Sequence, residues 1–423
     1  MRILVLCPHF APDVAPTGEV MTRIVTELAA RDHELHVVTS LPWYRHHALD
    51  PGWDGQLART ERTRWGRITR VHPFPTDKRN IPARALAFGG FTALAVAVGL
   101  PTRPRPDVVL VMSPPLTLGP AGFAIGRLRN VPFVFNIQDV FPDVAIELGH
   151  LKGERAISAA RWLERATYRR ADAVTVLSDD LAENVRAKIS TGRAAIRDAR
   201  DDGRVHVIPN FVDTEWIRPA SKENSYRSEY GLSGRRVVMY AGNVGLSQAL
   251  DLLLDAAADF LTEEDVTFVI NGGGAARPDL ERRARALRNV RFVDMQPTTR
   301  LPEVLAAADL HVVPLKKGLA WSSVPSKLYS ILAAGRPLVA SIDAGTEVAR
   351  TVEQAGAGLA VPPEDPEAFT KAIRRLLDAE AEREAMGVAG RRFIESWASP
   401  AAVAEAYEHL FEQVRVQSAR RRG

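Results

Sequence analysis

Short, nearly unbroken apolar runs alternate with helical patterns twice along this chain, and no other feature restricts its fold so strongly. The first half gives RILVLC, ELHVVTS, RITRVHPF, DVVLVMS, PFVFNIQD, AVTVLS and VHVIPN, with helical spacing over 17–31, 118–129 and 156–170. The second half restarts with RRVVMYAGN and continues through VTFVING, VRFVDM, LHVVPL, PLVASI and GLAVP. Strands covered on both faces read as continuous apolar runs, and strand–helix alternation means parallel sheets with right-handed crossovers. The pattern predicts an α/β chain of two doubly wound, Rossmann-like domains. One spans 1–214 and is rejoined by a C-terminal helix over 400–423; the other spans 215–399. The polar, proline-bearing stretch 210–225 reads as the linker. Two such sheets facing each other place a ligand cleft at the C-terminal ends of their strands.

Composition narrows the function. The 423 residues are 46% hydrophobic and 25% charged, an ordinary globular balance with room for two or three domains. The lone cysteine, Cys7, lies inside RILVLC, which excludes a disulfide framework and reads as a core thiol in a reducing cytoplasm. The apolar run after Arg2 stops at Pro8, too soon for a secretory signal. Between 45 and 105 there are eleven Lys and Arg against four Asp and Glu. Inside that stretch, 85–101 is uncharged and flanked by Arg79, Arg84, Arg103 and Arg105. It is short for a membrane span. It fits a buried core helix, or an interfacial helix on an anionic leaflet. The second reading predicts peripheral attachment to the inner face of the cell membrane through about 81–105. The basic residues are not interleaved with stacking aromatics, so nucleic acid is not an expected partner. No His/Cys cluster has metal-ligand spacing, Asp179–Asp180 reads as a helix start and RDDG at 200–203 as a turn, so no metal is expected.

Four loops should line the cleft. PHFAPDVAPTGEV follows the first strand, with Gly18 ahead of a helix; AGNVGLSQ carries Gly242 and Gly245; NGGG carries Gly273; VPSK precedes a helix opening at Pro325 or Ser326. Glycine before a helix lets backbone N–H groups approach an anion. Lys327 would then sit in a first helical turn, against the helix dipole by ~0.3–1 kcal/mol. That placement makes sense once an anion binds, and Ser330 shares the same helix face. Lys316 and Lys317 are secondary cation candidates.

YAGNVGLSQALDLLLDAAADF, VPSKLYSILAAGRPLVASIDAGTEV and AGAGLAVPPEDPEAFTKAI resemble the donor domain of retaining glycosyltransferase family 4, in the branch that builds O-antigen and colanic-acid-type polysaccharides. NIQDVFPD at 136–143 and SPPLTLG at 113–119 resemble that branch's acceptor domain. The resemblance covers nearly the whole chain. It implies a GT-B fold, a nucleotide-sugar donor (a UDP-sugar carrying a hexose or an N-acetylated amino or deoxy sugar), no essential metal and a polyprenyl-diphosphate-linked acceptor. Read together with the cleft-lining loops, the residues place Gly18, Gly242, Asn243, Gly245, Gln248, Gly273, Gln296, Ser326, Lys327 and Ser330 at the donor, and Asp139, Lys327 and Glu347 are the catalytic candidates. Departures from the family pattern matter equally. An Arg and a Lys that ligate the donor diphosphate in many members are matched by neutral Asn243 and Gln248. Two glutamates eight residues apart are matched by Ser322 and Ser330, and a common histidine by Gln138, followed by Asp139. Two rival functions share the plan: a nucleotide-sugar 2-epimerase, which turns over without acceptor, and an inactive nucleotide-sugar-binding scaffold subunit.

Overall fold

The computed structural model describes residues 1–13, 15–44, 48–76, 81–143, 146, 151, 153–190, 203–245, 247–318 and 327–420. The chain divides into two compact units, Met1–Asn210 with Val403–Gly423, and Phe211–Ala402.

The first unit is an eight-stranded sheet in the order β3-β4-β2-β1-β5-β6-β7-β8. Its strands are β1 (Arg2–Leu6), β2 (Glu34–Ser40), β3 (Ala58–Thr63), β4 (Gly66–Val71), β5 (Val108–Ser113), β6 (Phe133–Ile137), β7 (Ala173–Val176) and β8 (Val205–Val207). All neighbours run parallel except the β3–β4 pair at the edge. Every residue of β5 is buried, as expected of a strand covered on both faces. Cys7, just beyond β1, is fully buried, and burial pushes its thiol up to about 12.

The second unit is an all-parallel six-stranded sheet in the order β11-β10-β9-β12-β13-β14. Its strands are β9 (Arg236–Ala241), β10 (Val266–Asn271), β11 (Val290–Val293), β12 (Leu310–Pro314), β13 (Leu338–Ser341) and β14 (Gly358–Val361). Numbered within the unit, this is the order 3-2-1-4-5-6, with the chain reversing direction across the sheet between β9 and β12. At the N-terminal ends of those two strands, Asp309 accepts from the Val237 N–H at 2.8 Å, from Arg227 at 2.6 Å and from Lys222 at 2.7 Å. Arg227 is fully buried and also donates to the Ala307 and Arg235 carbonyls. This network pins β9 beside β12.

Three expectations change. The stretch 210–225 is not a free linker: Val212 N–H donates to the Ala398 carbonyl, and Arg391 donates to the Thr214 and Ile217 carbonyls, tying it into the second unit. Gly18 does not precede a helix but lies inside the helix Pro16–Ala30. The apolar segment forms a core-packed helix, Ile81–Gly99, with Ala87, Phe91 and Ala95 buried and Leu94, Val96 and Val98 against the core. Its outward row is mostly small: Gly89, Ala93 and Ala97 are exposed, with Leu86 79% exposed. A sequence window sees only that such a helix lacks charge; which side meets the sheet is a tertiary matter. No helix among the described residues is long and apolar enough to cross a membrane.

The C-terminal helix, Pro400–Arg420, returns the chain to the first unit. There Asn136 donates to the hydroxyl of buried Tyr407 at 2.8 Å, and Arg31 and His33 reach Glu408 at 3.2 and 3.1 Å.

Replacing Asp309 by Ala leaves buried Arg227 only Glu223 as a charge partner among the described residues and orphans the Val237 N–H, a loss of about 3 kcal/mol. Urea unfolding of the second unit should show it. Burial pushes the Asp309 carboxyl up, but Lys222, the Val237 amide and Arg227 outweigh this and hold it below the ordinary range. A depressed folded pKa means the contribution is present at neutral pH and is lost as pH falls through that lowered value.

Candidate functional site

In an open parallel sheet the connections leave to opposite faces where the strand order reverses, and a crevice opens outside the strand ends. In the second unit that point is the C-terminal edge of β9 and β12. The loop after β9 and the loop after β10 interlock there. Gly242 N–H donates to Asn271 O at 2.9 Å, Val244 N–H to Gly273 O at 2.8 Å and Ala276 N–H to Val244 O at 3.1 Å. The approach is close enough to require glycine: Gly272 has φ 147°, and a Cβ there would lie 1.9 Å from the Gly242 carbonyl oxygen. From the other side, Lys316 N–H, just after β12, donates to the Ser247 carbonyl at 3.1 Å.

Lys327 reaches into this loop from the helix Lys327–Ala333. Its Nζ donates to Tyr240 Oη at 2.6 Å and to Gln248 Oε1 at 3.2 Å, and sits 4.1 Å from the centroid of the Tyr240 ring. A Cβ on Gly242 would lie 3.5 Å from the Lys327 Nζ. The Tyr240 hydroxyl in turn donates to the Asn243 carbonyl at 2.6 Å. Tyr240, fully buried at the end of β9, thus joins the lysine to the backbone of the glycine loop. Nothing in the run RVVMYAG marks it beyond being the polar-tipped residue of an otherwise apolar strand. Among the described residues no carboxylate pairs with this ammonium, and one of its three donors has no partner. Desolvation accordingly pulls the Lys327 amine down to about 8. Burial pushes the Tyr240 phenol up, so it stays neutral beside the amine.

The structure therefore brings together Gly242, Asn243, Gly245, Gln248, Gly273 and Lys327. Gln248, a neutral residue where the family pattern has a cation, accepts a hydrogen bond from Lys327 and orients it. Ser330 is half-buried one turn along the same helix. Ser326 and Ser322 lie outside the described residues, as does the predicted start of that helix. Gln296 is held away from the lysine cluster by its own partners, donating to Tyr230 Oη at 3.1 Å and accepting from Arg300 at 2.8 Å. Glu347 is buried in the first turn of the helix Glu347–Ala355, with its carboxylate 2.9 Å from Arg350.

In the first unit, Asp139 is exposed just beyond β6, and the surrounding protein pushes its carboxyl up from the ordinary range. Gln138 is buried instead and donates to Asn136 Oδ1 at 2.9 Å. Gly18 lets its helix press on the loop after β1, since a Cβ would lie 2.8 Å from His9 Cβ. That loop carries a His9–Asp13 pair that the sequence reading passed over, because two residues four apart in a proline-rich loop carry no periodic signal. No group of three or more His, Cys, Asp or Glu residues among the described ones is arranged to hold a metal ion.

Two open, mainly parallel sheets, with a desolvated lysine and an interlocked glycine loop at the switch point of the second, define the class. A family model for group 1 glycosyl transferases matches residues 235–379, and one for a glycosyl transferase 4-like domain matches 17–210. The chain belongs to the GT-B glycosyltransferases and is an enzyme. It is 29% identical over 390 residues to the putative colanic acid biosynthesis glycosyl transferase WcaI of Escherichia coli K12, covering 89% of this chain and 92% of that protein. Among solved structures it resembles sucrose-phosphate synthase from Thermosynechococcus elongatus, with TM-score 0.66 and 19% identity over 99% of this chain and all of that one. It also resembles Anabaena HepE in complex with UDP-glucose, with TM-score 0.61 and 14% identity over 98% of this chain and all of that one.

An uncompensated, desolvated ammonium is a burden on the empty protein. Lys327→Met should raise apo stability at pH 7 by about 1–3 kcal/mol, since each unit of pKa displacement corresponds to about 1.4 kcal/mol. Because the folded pKa is lowered, the burden is complete below about pH 8 and fades as pH rises toward the ordinary lysine value of 10.5. Denaturant melts at pH 7 and pH 10 should show a gain that shrinks at the higher pH.

Proposed function

We propose that the enzyme is a retaining family 4 glycosyltransferase. It moves a hexose or an N-acetylated amino or deoxy sugar from a UDP-sugar to a polyprenyl-diphosphate-linked acceptor in cell-surface polysaccharide synthesis. One observation carries the donor half of this reading: a partly buried lysine with no carboxylate partner among the described residues, aimed at a glycine loop on a topological switch point. An anion of two or more negative charges is the ligand that such a site lacks. Departure of the nucleotide diphosphate concentrates charge on its distal phosphate, where Lys327 and the loop N–H groups would stabilise it in a protected environment. Gly242, Gly245 and Gly273 let the backbone approach the phosphates, Gln248 and Tyr240 hold the lysine, and Asn243 and Ser330 offer hydrogen bonds to sugar or ribose hydroxyls. Glu347 and Gln296 act at the sugar and the base in this reading, and Ser326 beside the phosphates. Gly18 and Asp139 contribute from the first unit, which takes the acceptor, Asp139 as a hydrogen-bond acceptor for a sugar hydroxyl. In support, HepE, of the same fold, binds UDP-glucose in its solved complex, and the WcaI relative is a putative colanic acid biosynthesis glycosyl transferase. No metal takes part in this reading, so transfer continues in excess EDTA.

Membrane attachment belongs to the same proposal, through a surface that takes in only part of the segment 81–105. Three neighbouring helices of the first unit, Ile81–Gly99, Leu118–Arg129 and Glu154–Arg170, expose Leu86, Phe123, Leu128 and Trp162. Arg127, Arg155, Arg161 and Arg170 are exposed on the latter two. Apolar side chains among arginines suit an anionic leaflet. The double change Phe123→Ser with Trp162→Ser should lower co-sedimentation with anionic vesicles and leave the fold intact. Phe91→Ser, by contrast, should destabilise the first unit, since Phe91 is only 3% exposed. Vesicle binding unchanged in the double variant would refute this surface.

The lysine sets a pH signature. With the free enzyme's amine near 8, donor kcat/KM should fall about tenfold per pH unit above pH 8, because a neutral amine must regain its proton to hold the diphosphate. Lys327→Ala should lose about 10²–10³-fold in turnover together with that alkaline limb. Near-normal turnover in Lys327→Ala would refute the assignment.

A further inference from the structure

The strand order of the first unit also reverses, between β1 and β5, so the loop after β1 lies at that sheet's own switch point. His9 stands in this loop, and the chain leaving β2 brings Trp43 and Tyr44 beside it. His9 Nδ1 lies 2.7 Å from Asp13 Oδ2, and the other oxygen of Asp13 accepts from the Tyr44 N–H at 3.1 Å. Asp13 is 5% exposed. A carboxylate only accepts, so the shared proton sits on Nδ1, and in the neutral ring Nε2 presents its lone pair. That nitrogen has no hydrogen-bond partner among the described residues, while the imidazole keeps 12% of its surface open.

The aromatic neighbours complete a platform. The Trp43 ring is 5.8 Å from the imidazole and inclined by 29°, and the Tyr44 ring stands edge-on at 5.2 Å. The loop is braced from two sides, by β4 and by the helix Pro16–Ala30. Arg70 of β4, 1% exposed, donates to the Phe10 and Ala11 carbonyls, and Thr22 Oγ1 accepts from the Ala11 N–H at 2.9 Å. The helix bearing Gly18 closes against His9 itself. Packing alone would be met by an apolar residue here. A buried carboxylate that fixes one tautomer, and so leaves one nitrogen unpaired, is the arrangement of a group held ready for a hydroxyl.

We propose that His9 Nε2 and the Trp43 and Tyr44 rings form a saccharide subsite, in which the imidazole accepts from a sugar hydroxyl while the apolar ring face of the sugar lies on the aromatics. Ligand sites of this kind combine aromatic walls with a few placed polar groups. The occupant is the acceptor's sugar, which rests on the glycosyltransferase reading above. His9 and Trp43 bind, and Asp13 positions His9.

Saturation-transfer NMR with the methyl glycosides of glucose, galactose, mannose and N-acetylglucosamine tests the subsite without needing turnover. At least one glycoside should take up saturation from the wild-type protein. His9→Ala and Trp43→Ala should each weaken its binding by about tenfold, the effect of losing one contact in a partly desolvated site. Asp13→Asn should weaken it as well, and His9→Gln, which keeps an amide at the end of the side chain, should retain most of it. Circular dichroism of His9→Gln and Trp43→Ala should match the wild type. The inference is overturned if no glycoside in the panel binds the wild type, or if the dissociation constant is the same in the folded His9 and Trp43 variants. A transfer assay with undecaprenyl-diphosphate carrying the bound sugar separates the two claims. Binding that depends on His9 without transfer leaves the subsite standing and removes the proposed acceptor.

Discussion

The adjacency of β9 and β12 is the constraint on which the donor-side geometry depends. Parallel strands all emit their loops at one edge, and only where chain order reverses do neighbouring loops part to leave room for a ligand. Asp309 and Arg227 fix this adjacency at one end of the two strands, where both are buried and each answers the other's charge. At the opposite end the loop after β9 and the segment after β12 meet, and Lys327 arrives from the helix beyond. Structural ion pairing and the functional amine are thus separated by the length of a strand. The unit balances its buried charge at one end of these strands and, among the described residues, leaves the Lys327 ammonium without a carboxylate at the other.

That separation also explains the neutral residues of the glycine loop. A cation at position 248 would stand within hydrogen-bonding distance of the Lys327 ammonium and repel it in the empty protein. Gln248 instead accepts from it, and the Tyr240 hydroxyl, accepting from Lys327 and donating to Asn243 O, transmits the loop's position to the amine. The site concentrates on one oriented cation what the family pattern spreads over two. The balance is electrostatic: bringing one ammonium out of water has a smaller penalty than bringing two close together.

The two units use one architectural device for different chemistry. At the switch point of the second, a desolvated cation and glycines suit an anion. At that of the first, an imidazole held by a carboxylate and flanked by aromatic rings suits hydroxyls and apolar ring faces. Gly18 lets its helix lie directly on His9.

By itself the sequence determined the repeated strand–helix alternation, the two Rossmann-like sheets, the returning C-terminal helix and the glycine loops at the strand ends. These are legible because period and punctuation are local: a β run, a glycine or a helical stripe declares itself within a few residues. Only the tertiary structure decided that Tyr240 bridges Lys327 to Asn243, that Phe91 faces the core and that Trp162 faces solvent. It alone paired His9 with Asp13 and set Trp43 beside them. Each of these depends on which face of an element meets its neighbour and on which loops share a sheet edge, and contacts between β1 and β2 exits or between a strand and a helix some ninety residues later leave no periodic trace in the chain.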